Sequence, residues 1–115
     1  MADIQAAQRV AQAWMGLMDR GKYDQSWKQF APVVQQQITK KQWKQQVKST
    51  RQSYGALQSR MPRAANYATT LPGAPDGKYV VLEFDTTFAN KQAARETCVL
   101  AQTNGVWKVA GYFLQ

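Results

Sequence analysis

Three acids and four arginines carry the side-chain types that do chemistry. Glu83 and Asp85 stand in one alternating run and Glu96 in another, while Arg51, Arg60, Arg63 and Arg95 are placed to reach into or around a concave face opposite them. A carboxylate held near an apolar wall, its pKa raised toward neutrality, can serve as the general base of an isomerase- or dehydratase-like enzyme. The other use of the same residues is cross-strand ion pairing, worth about 0.2–1 kcal/mol per pair. Alternation sets Glu83 and Asp85 opposite the Val80-Leu82-Phe84 face, which favours pairing for those two. The facing of Glu96 stays undecided, and it is the one candidate catalytic acid.

Composition excludes much catalytic machinery. The 115 residues contain no histidine and one cysteine, Cys98. Ser-His-Asp and Cys-His nucleophiles, an intrachain disulfide and cysteine-based metal sites are therefore ruled out, and zinc loses its usual imidazole ligands. Cys98 alternates with Glu96 and Leu100, as a small buried hydrophobe does. The stretch Gly73 to Lys78, GAPDGK, resembles a phosphate-cradling loop only at first sight. Its two glycines are separated by Ala74, Pro75 and Asp76, one residue short, and Tyr79 and a strand follow Lys78 where Ser or Thr and a helix are needed. Ala74-Pro75-Asp76-Gly77 instead fits a β-turn with Pro second and Gly fourth. No metal and no cofactor is expected.

The net charge is +8, unevenly distributed. Between Asp24 and Asp76 there is no acid, and Lys28, Lys40, Lys41, Lys44, Lys48, Arg51, Arg60 and Arg63 in that segment equal the whole net charge. Lys40, Lys44, Lys48 and Arg51 follow at helical spacing and form one stripe. Such a stripe docks an acidic protein or an anionic membrane surface, or it is a solvated flank whose Lys stems cover apolar neighbours. A second candidate site gathers Trp14, Tyr23, Trp27 and Tyr112 with Arg51 and Arg60 around a small apolar or anionic ligand. Aromatic residues at helical spacing more often build the core.

The elements that must position these residues are legible. Ile4, Ala7, Val10, Ala11, Trp14, Leu17 and Met18 recur at three- and four-residue spacing, an amphipathic helix that Gly21 ends. Asp24 is placed to cap a short second helix carrying Trp27 and Phe30 inward, with Pro32 limiting its length. Thr39 and Gln42 form a capping box for a third helix, flanked by the hydrophobic pair Ile38 and Trp43 and ended by Gly55. A strand follows within 57–71, Pro62 confining part of it to an edge or bulge. Val80, Leu82, Phe84, Thr86 and Phe88 alternate with Tyr79, Val81, Glu83, Asp85 and Thr87 in a second. Two more, near 95–102 and 106–114, are joined by the hairpin signal Asn104-Gly105. The expectation is one α+β domain over 1–115, with three N-terminal helices (about 4–55) packed on one face of a curled four-stranded antiparallel sheet (about 57–115).

GKYDQSW (21–27), Trp43 with Arg51 and Gly55, LPGAPDGKYVVLEF (71–84) and the closing NGVWKVAGYFLQ (104–115) resemble the bacterial domain-of-unknown-function family 4019 over nearly the whole chain. The resemblance implies a cystatin-like or nuclear-transport-factor-2-like cone and an exported, periplasmic or envelope-associated protein made with a leader. It implies no activity and no catalytic residues. Met1-Ala2-Asp3-Ile4 lacks the basic and apolar regions of a signal peptide, which fits a leader already removed or a cytoplasmic chain. An envelope location keeps nucleic acid away, so none is expected as a partner, and similar cone-shaped folds pair through the sheet as homodimers. The functional expectation is non-catalytic binding in the concave sheet face or docking through the basic helix, with the isomerase-like enzyme as the alternative.

Overall fold

The stripe on the first helix sets the layering. A computed structural model describes all 115 residues. Helix α1 (Ala2–Asp19) lays Ala7, Ala11, Trp14, Met15 and Met18 on the inner face of an antiparallel sheet, every one of them buried. The sheet is a meander in chain order: β1 (Leu57–Ala68), β2 (Tyr79–Phe88), β3 (Lys91–Thr103) and β4 (Val106–Leu114). It is open, with β1 and β4 as its edges. Val80, Leu82, Phe84, Thr86 and Phe88 are all buried, as the alternation predicts, and of the other set only Tyr79 is buried too, its hydroxyl donating to the Pro75 carbonyl. Bulges interrupt the register at Arg63 in β1 and at Ala110 in β4, opposite Val99 and Leu100, and each adds local bend and twist to its strand.

Four helices, not three, precede the sheet. Pro32 does not merely shorten the second helix; it opens another. Between α2 (Tyr23–Lys28) and α3 (Pro32–Gln37), Ala31 is extended at φ −57° and ψ 148°, as a residue before proline prefers. Proline at the first helical position forfeits only an N–H that has no intrahelical partner. Phe30, left between the two helices, bridges to Val109 of β4, and the Ala31 N–H donates to the Val109 carbonyl at 2.7 Å. Asp24 is not the cap of α2, which starts one residue earlier with Lys22 at the N-cap; Asp24 lies in the first turn, where its charge suits the helix dipole. Helix α4 (Lys40–Tyr54) begins with the expected capping box, Thr39 and Gln42 exchanging hydrogen bonds of 3.1 and 2.9 Å.

The β1–β2 connection corrects a second expectation. Its hydrogen-bonded turn is Leu71-Pro72-Gly73-Ala74, closed by the Ala74 N–H on the Leu71 carbonyl, with Gly73 at φ 77°. That is the geometry for which Pro second and Gly third are suited, so the turn sits three residues before Ala74-Pro75-Asp76-Gly77. Asn104 and Gly105 both take positive φ, as their hairpin turn requires.

The aromatic cluster hangs on one serine. Trp14 packs against Phe30, Trp43 and Tyr112 with centroid separations of 5.6, 6.0 and 5.1 Å. Each buried indole N–H then needs an acceptor. Ser26, itself fully buried, supplies two: its carbonyl accepts from Trp14 Nε1 at 2.8 Å and its hydroxyl from Trp43 Nε1 at 2.9 Å. The same hydroxyl donates to the Tyr23 carbonyl at 2.6 Å. Ser26→Ala strands the Trp43 donor, and a loss of about 1–3 kcal/mol in urea unfolding is expected, with a shift in tryptophan emission.

Candidate functional site

A cluster of charged and polar side chains lies between the ends of α1 and α4 and the inner face of the sheet. Each strand contributes one inward residue: Arg60 from β1, Thr86 from β2, Glu96 from β3 and Tyr112 from β4. Glu96 is fully buried because Ala94, Glu96, Cys98 and Leu100 share the inner face of β3. Its carboxylate accepts four hydrogen bonds. Arg60 Nε reaches Oε1 at 2.6 Å and Arg60 Nη2 reaches Oε2 at 3.2 Å, while Thr86 Oγ1 donates to Oε1 at 2.6 Å and the Tyr112 hydroxyl to Oε2. The far edge of the Arg60 guanidinium grips Asp19, at the end of α1, with Nη1 on Oδ2 at 2.8 Å and Nη2 on Oδ1 at 3.1 Å. Arg51, from the last turn of α4, donates Nη2 to the same Oδ1 at 2.7 Å.

Opposed effects set the ionisation of these groups. Burial alone would raise the Asp19 carboxyl, but hydrogen bonds from Arg60 and Arg51 and their charges together outweigh it and hold the group below 3.8. Burial opposes the charge on Arg60, and its bonds to Asp19 and Glu96 more than restore it. Tyr112 is pushed up by burial and then by the Glu96 charge, so its hydroxyl stays a donor. Burial, with Glu96 nearby, drives the Cys98 thiol up to about 12, which leaves it inert. With two guanidiniums facing two carboxylates, the cluster is neutral as a whole.

The arrangement limits what Glu96 can do chemically. A carboxylate offers about four lone-pair positions, and all four are filled by fixed donors. Taking a proton from a substrate would require one of them to leave. Thr86 and Tyr112 orient the carboxylate and Arg60 neutralises it. No group of three His, Cys, Asp or Glu side chains is placed to hold a metal ion.

One residue is left incomplete. Arg51 is 7% exposed, yet its Nε and Nη1 have no acceptor. Its guanidinium carbon lies 4.9 Å from the centroid of the Phe88 ring, which offers a face but no lone pair. Beside it runs a cleft of ≈ 460 Å³ between the end of α1, the end of α4 and the start of β1, lined by Met18, Asp19, Tyr23, Arg51, Gln52, Gly55, Ala56 and Leu57. Gly55, at φ 84°, turns the chain there; a Cβ on it would come within 3.0 Å of Asn90 Nδ2 and 3.1 Å of Ala89 Cβ.

The sequence candidates divide accordingly. Arg51, Arg60 and Glu96 meet in the buried network, and Tyr23 and Arg51 line the cleft. Tyr112 binds Glu96 from the other side and opens on a separate recess of ≈ 170 Å³ beside Trp43 and Val47. Trp14 is wholly buried in the core, and half-buried Trp27 donates to the Ile38 carbonyl at 2.9 Å, so neither reaches the cleft. Arg51 also leaves the basic stripe, since α4 turns it inward to Asp19; Lys40, Lys44 and Lys48 stay exposed. Arg63 and Arg95 face outward, pairing with Asp85 at 3.5 and 3.3 Å, and Arg95 reaches Glu83 at 3.7 Å. Asp19, Ser26 and Thr86 are the participants sequence reasoning missed, the alternation showing Thr86 only as an inward position of its strand. Asp19 extends the run Ala7, Ala11, Met15 by one further step of four, and it sits at a helix C-terminus, where an acid is locally disfavoured. That local misfit was the available signal.

Two outcomes follow for the network. Arg60→Met leaves Glu96 buried without its cation and should cost about 3–5 kcal/mol in urea unfolding, with Arg60→Met/Glu96→Met costing clearly less than the two single changes added. Because the folded Asp19 pKa lies below its unfolded 3.8, its contribution is complete above that value and is lost as pH falls through the folded pKa. The stability gap between wild type and Asp19→Asn should therefore shrink on acidification below about pH 4, as followed by far-UV circular dichroism.

No curated protein and no solved structure matches the chain. A family model does, over residues 10–112 of the 115. The turn Leu71-Pro72-Gly73-Ala74, the buried Arg51 above Gly55 and the β4 run from Trp107 to Tyr112 all fall within that span. On that match the chain belongs to the family described as Protein of unknown function (DUF4019).

Proposed function

We propose that the protein is a binding domain, not an enzyme, and that it holds a small molecule in the cleft between α1, α4 and β1. The observation that carries this reading is Arg51: a guanidinium more than nine-tenths buried beside an open cleft, with two nitrogens lacking acceptors. Buried donors are almost always satisfied, and leaving one unpaired costs about 1–3 kcal/mol. A ligand oxygen would remove that cost. At ≈ 460 Å³ the cleft is also within the size range of small-molecule sites, roughly 300–1,000 Å³. The isomerase-like alternative is weakened by the filled lone pairs of Glu96, which leave no free base. An open antiparallel sheet with α1 across one face supports a cystatin-like or nuclear-transport-factor-2-like cone, and a place in the bacterial envelope is proposed from the family resemblance.

Native mass spectrometry of gently purified protein tests the reading. A retained small-molecule mass is expected on wild type and not on Gln52→Trp, which fills the cleft from an exposed position of α4. A mass retained equally by both proteins, or a bare wild type that no small-molecule panel stabilises against heat, overturns it.

A second reading has its own observation. Lys40, Lys41 and Lys48 are exposed with no acid within ion-pair distance, and only Lys44 has a partner, Asp24 at 3.8 Å. This supports docking of the α4 flank on an anionic surface. Salt-sensitive binding to anionic vesicles should disappear in the Lys40→Gln/Lys44→Gln/Lys48→Gln variant, and binding that survives the change rejects this docking.

A further inference from the structure

We propose that the ligand of this cleft is an amphipathic monocarboxylate, its carboxylate gripping the edge of Arg51 that Asp19 leaves open; the proposal rests on the binding reading above. The covalent geometry of arginine supplies the argument. Arg60 displays both usable edges of a guanidinium: Nε and Nη2 share the Glu96 carboxylate, while Nη1 and Nη2 share Asp19. In Arg51 only Nη2 is engaged, on Asp19 Oδ1. Whichever edge that bond occupies, the other keeps two parallel N–H groups without an acceptor, the fork that a carboxylate meets with two oxygens.

The surroundings select the charge and the body of the ligand. Asp19 is already held by Arg60 with two bonds, so its orientation does not depend on Arg51. Arg51 is accordingly the cation with the fewest hydrogen bonds in the cluster, one against four on Arg60, and because the four groups are already neutral together a ligand of single negative charge adds the least excess. A dianion would place its second charge against Asp19 or against the apolar wall. That wall is Met18, Ala56, Leu57 and the ring of Tyr23, which suits an alkyl or aryl body. Gln52, exposed on α4, lines the cleft beside Arg51. The Phe88 ring behind the guanidinium keeps water from one face, which strengthens a charge-assisted bond formed on its edge.

The test uses the full chain and the series acetate, butanoate, hexanoate and octanoate, with hexanol and hexanamide as neutral counterparts. Arginine Nε–H resonances are followed by ¹H–¹⁵N NMR, and Arg51→Lys identifies the Arg51 signal while keeping a cation opposite Asp19. Expected is a saturable shift of the Arg51 signal, affinity rising with chain length from acetate to octanoate. Hexanol and hexanamide should bind at least tenfold more weakly than hexanoate, and both Arg51→Lys and Gln52→Trp should lose at least tenfold in hexanoate affinity. If the neutral compounds bind as well as hexanoate and still lose their binding in Gln52→Trp, the carboxylate class is wrong while the cleft stands. If hexanoate shifts nothing on Arg51, or shifts it equally in Gln52→Trp, the inference fails for the cleft as a whole.

Discussion

Bringing a glutamate to zero exposure between a sheet and a helical layer is the constraint on which this molecule is built. The desolvation penalty for such a charge is several kcal/mol even after relaxation, and attraction to a cation offsets it only when the remaining lone pairs are also satisfied. Glu96 meets that condition through residues on the three other strands, so its position fixes the register of the whole sheet. A slip of one residue in any pairing would turn Arg60, Thr86 or Tyr112 to the outer face. Arg60 then carries the constraint across the layers, because its second edge fastens Asp19 and hence the end of α1. An apolar cluster of similar volume would hold these elements with comparable strength but would specify their register less sharply, which we take as the role of the charges.

The same constraint shapes the cleft. Two guanidiniums and two carboxylates make a neutral set, but their hydrogen bonds are unequally shared. Arg60 makes two bonds to each acid, and Arg51 is left with a single bond and a seat over Phe88. A donor-rich group of this kind is kept charged by its chemistry and kept dry by its neighbours. It is thus a better recognition element than the exposed lysines of α4, whose charge water largely screens.

Much of this was legible in the sequence. The α1 stripe, the Thr39–Gln42 capping box, the alternation through Phe88 and the Asn104-Gly105 turn all follow local rules, and the chain obeys them. Local rules also misled where two of them applied together. Pro32 both ends and begins helices, and between Leu71 and Gly77 two proline turns compete, of which only the first has glycine at the position that needs positive φ. The network was less visible because its members break local preference one at a time: Asp19 at a helix C-terminus, Thr86 and Glu96 in apolar runs, Arg51 beside three exposed lysines. Each is unremarkable alone, and only the fold makes them neighbours. The acid-free stretch from Asp24 to Asp76 takes its meaning from the same contact, since the two cations it sends inward find their anions outside it.

The order of these residues along the chain bears on how the protein is made. Domains emerge from the ribosome N-terminus first. Asp19 leads, followed by Arg51, Arg60 and Thr86, and Glu96 comes after all of them. Asp19 of α1 and Arg60 of β1 are therefore both synthesised before the other three strands. Of the three residues that donate to Glu96, Arg60 and Thr86 precede it in the chain and only Tyr112, on the last strand, follows it.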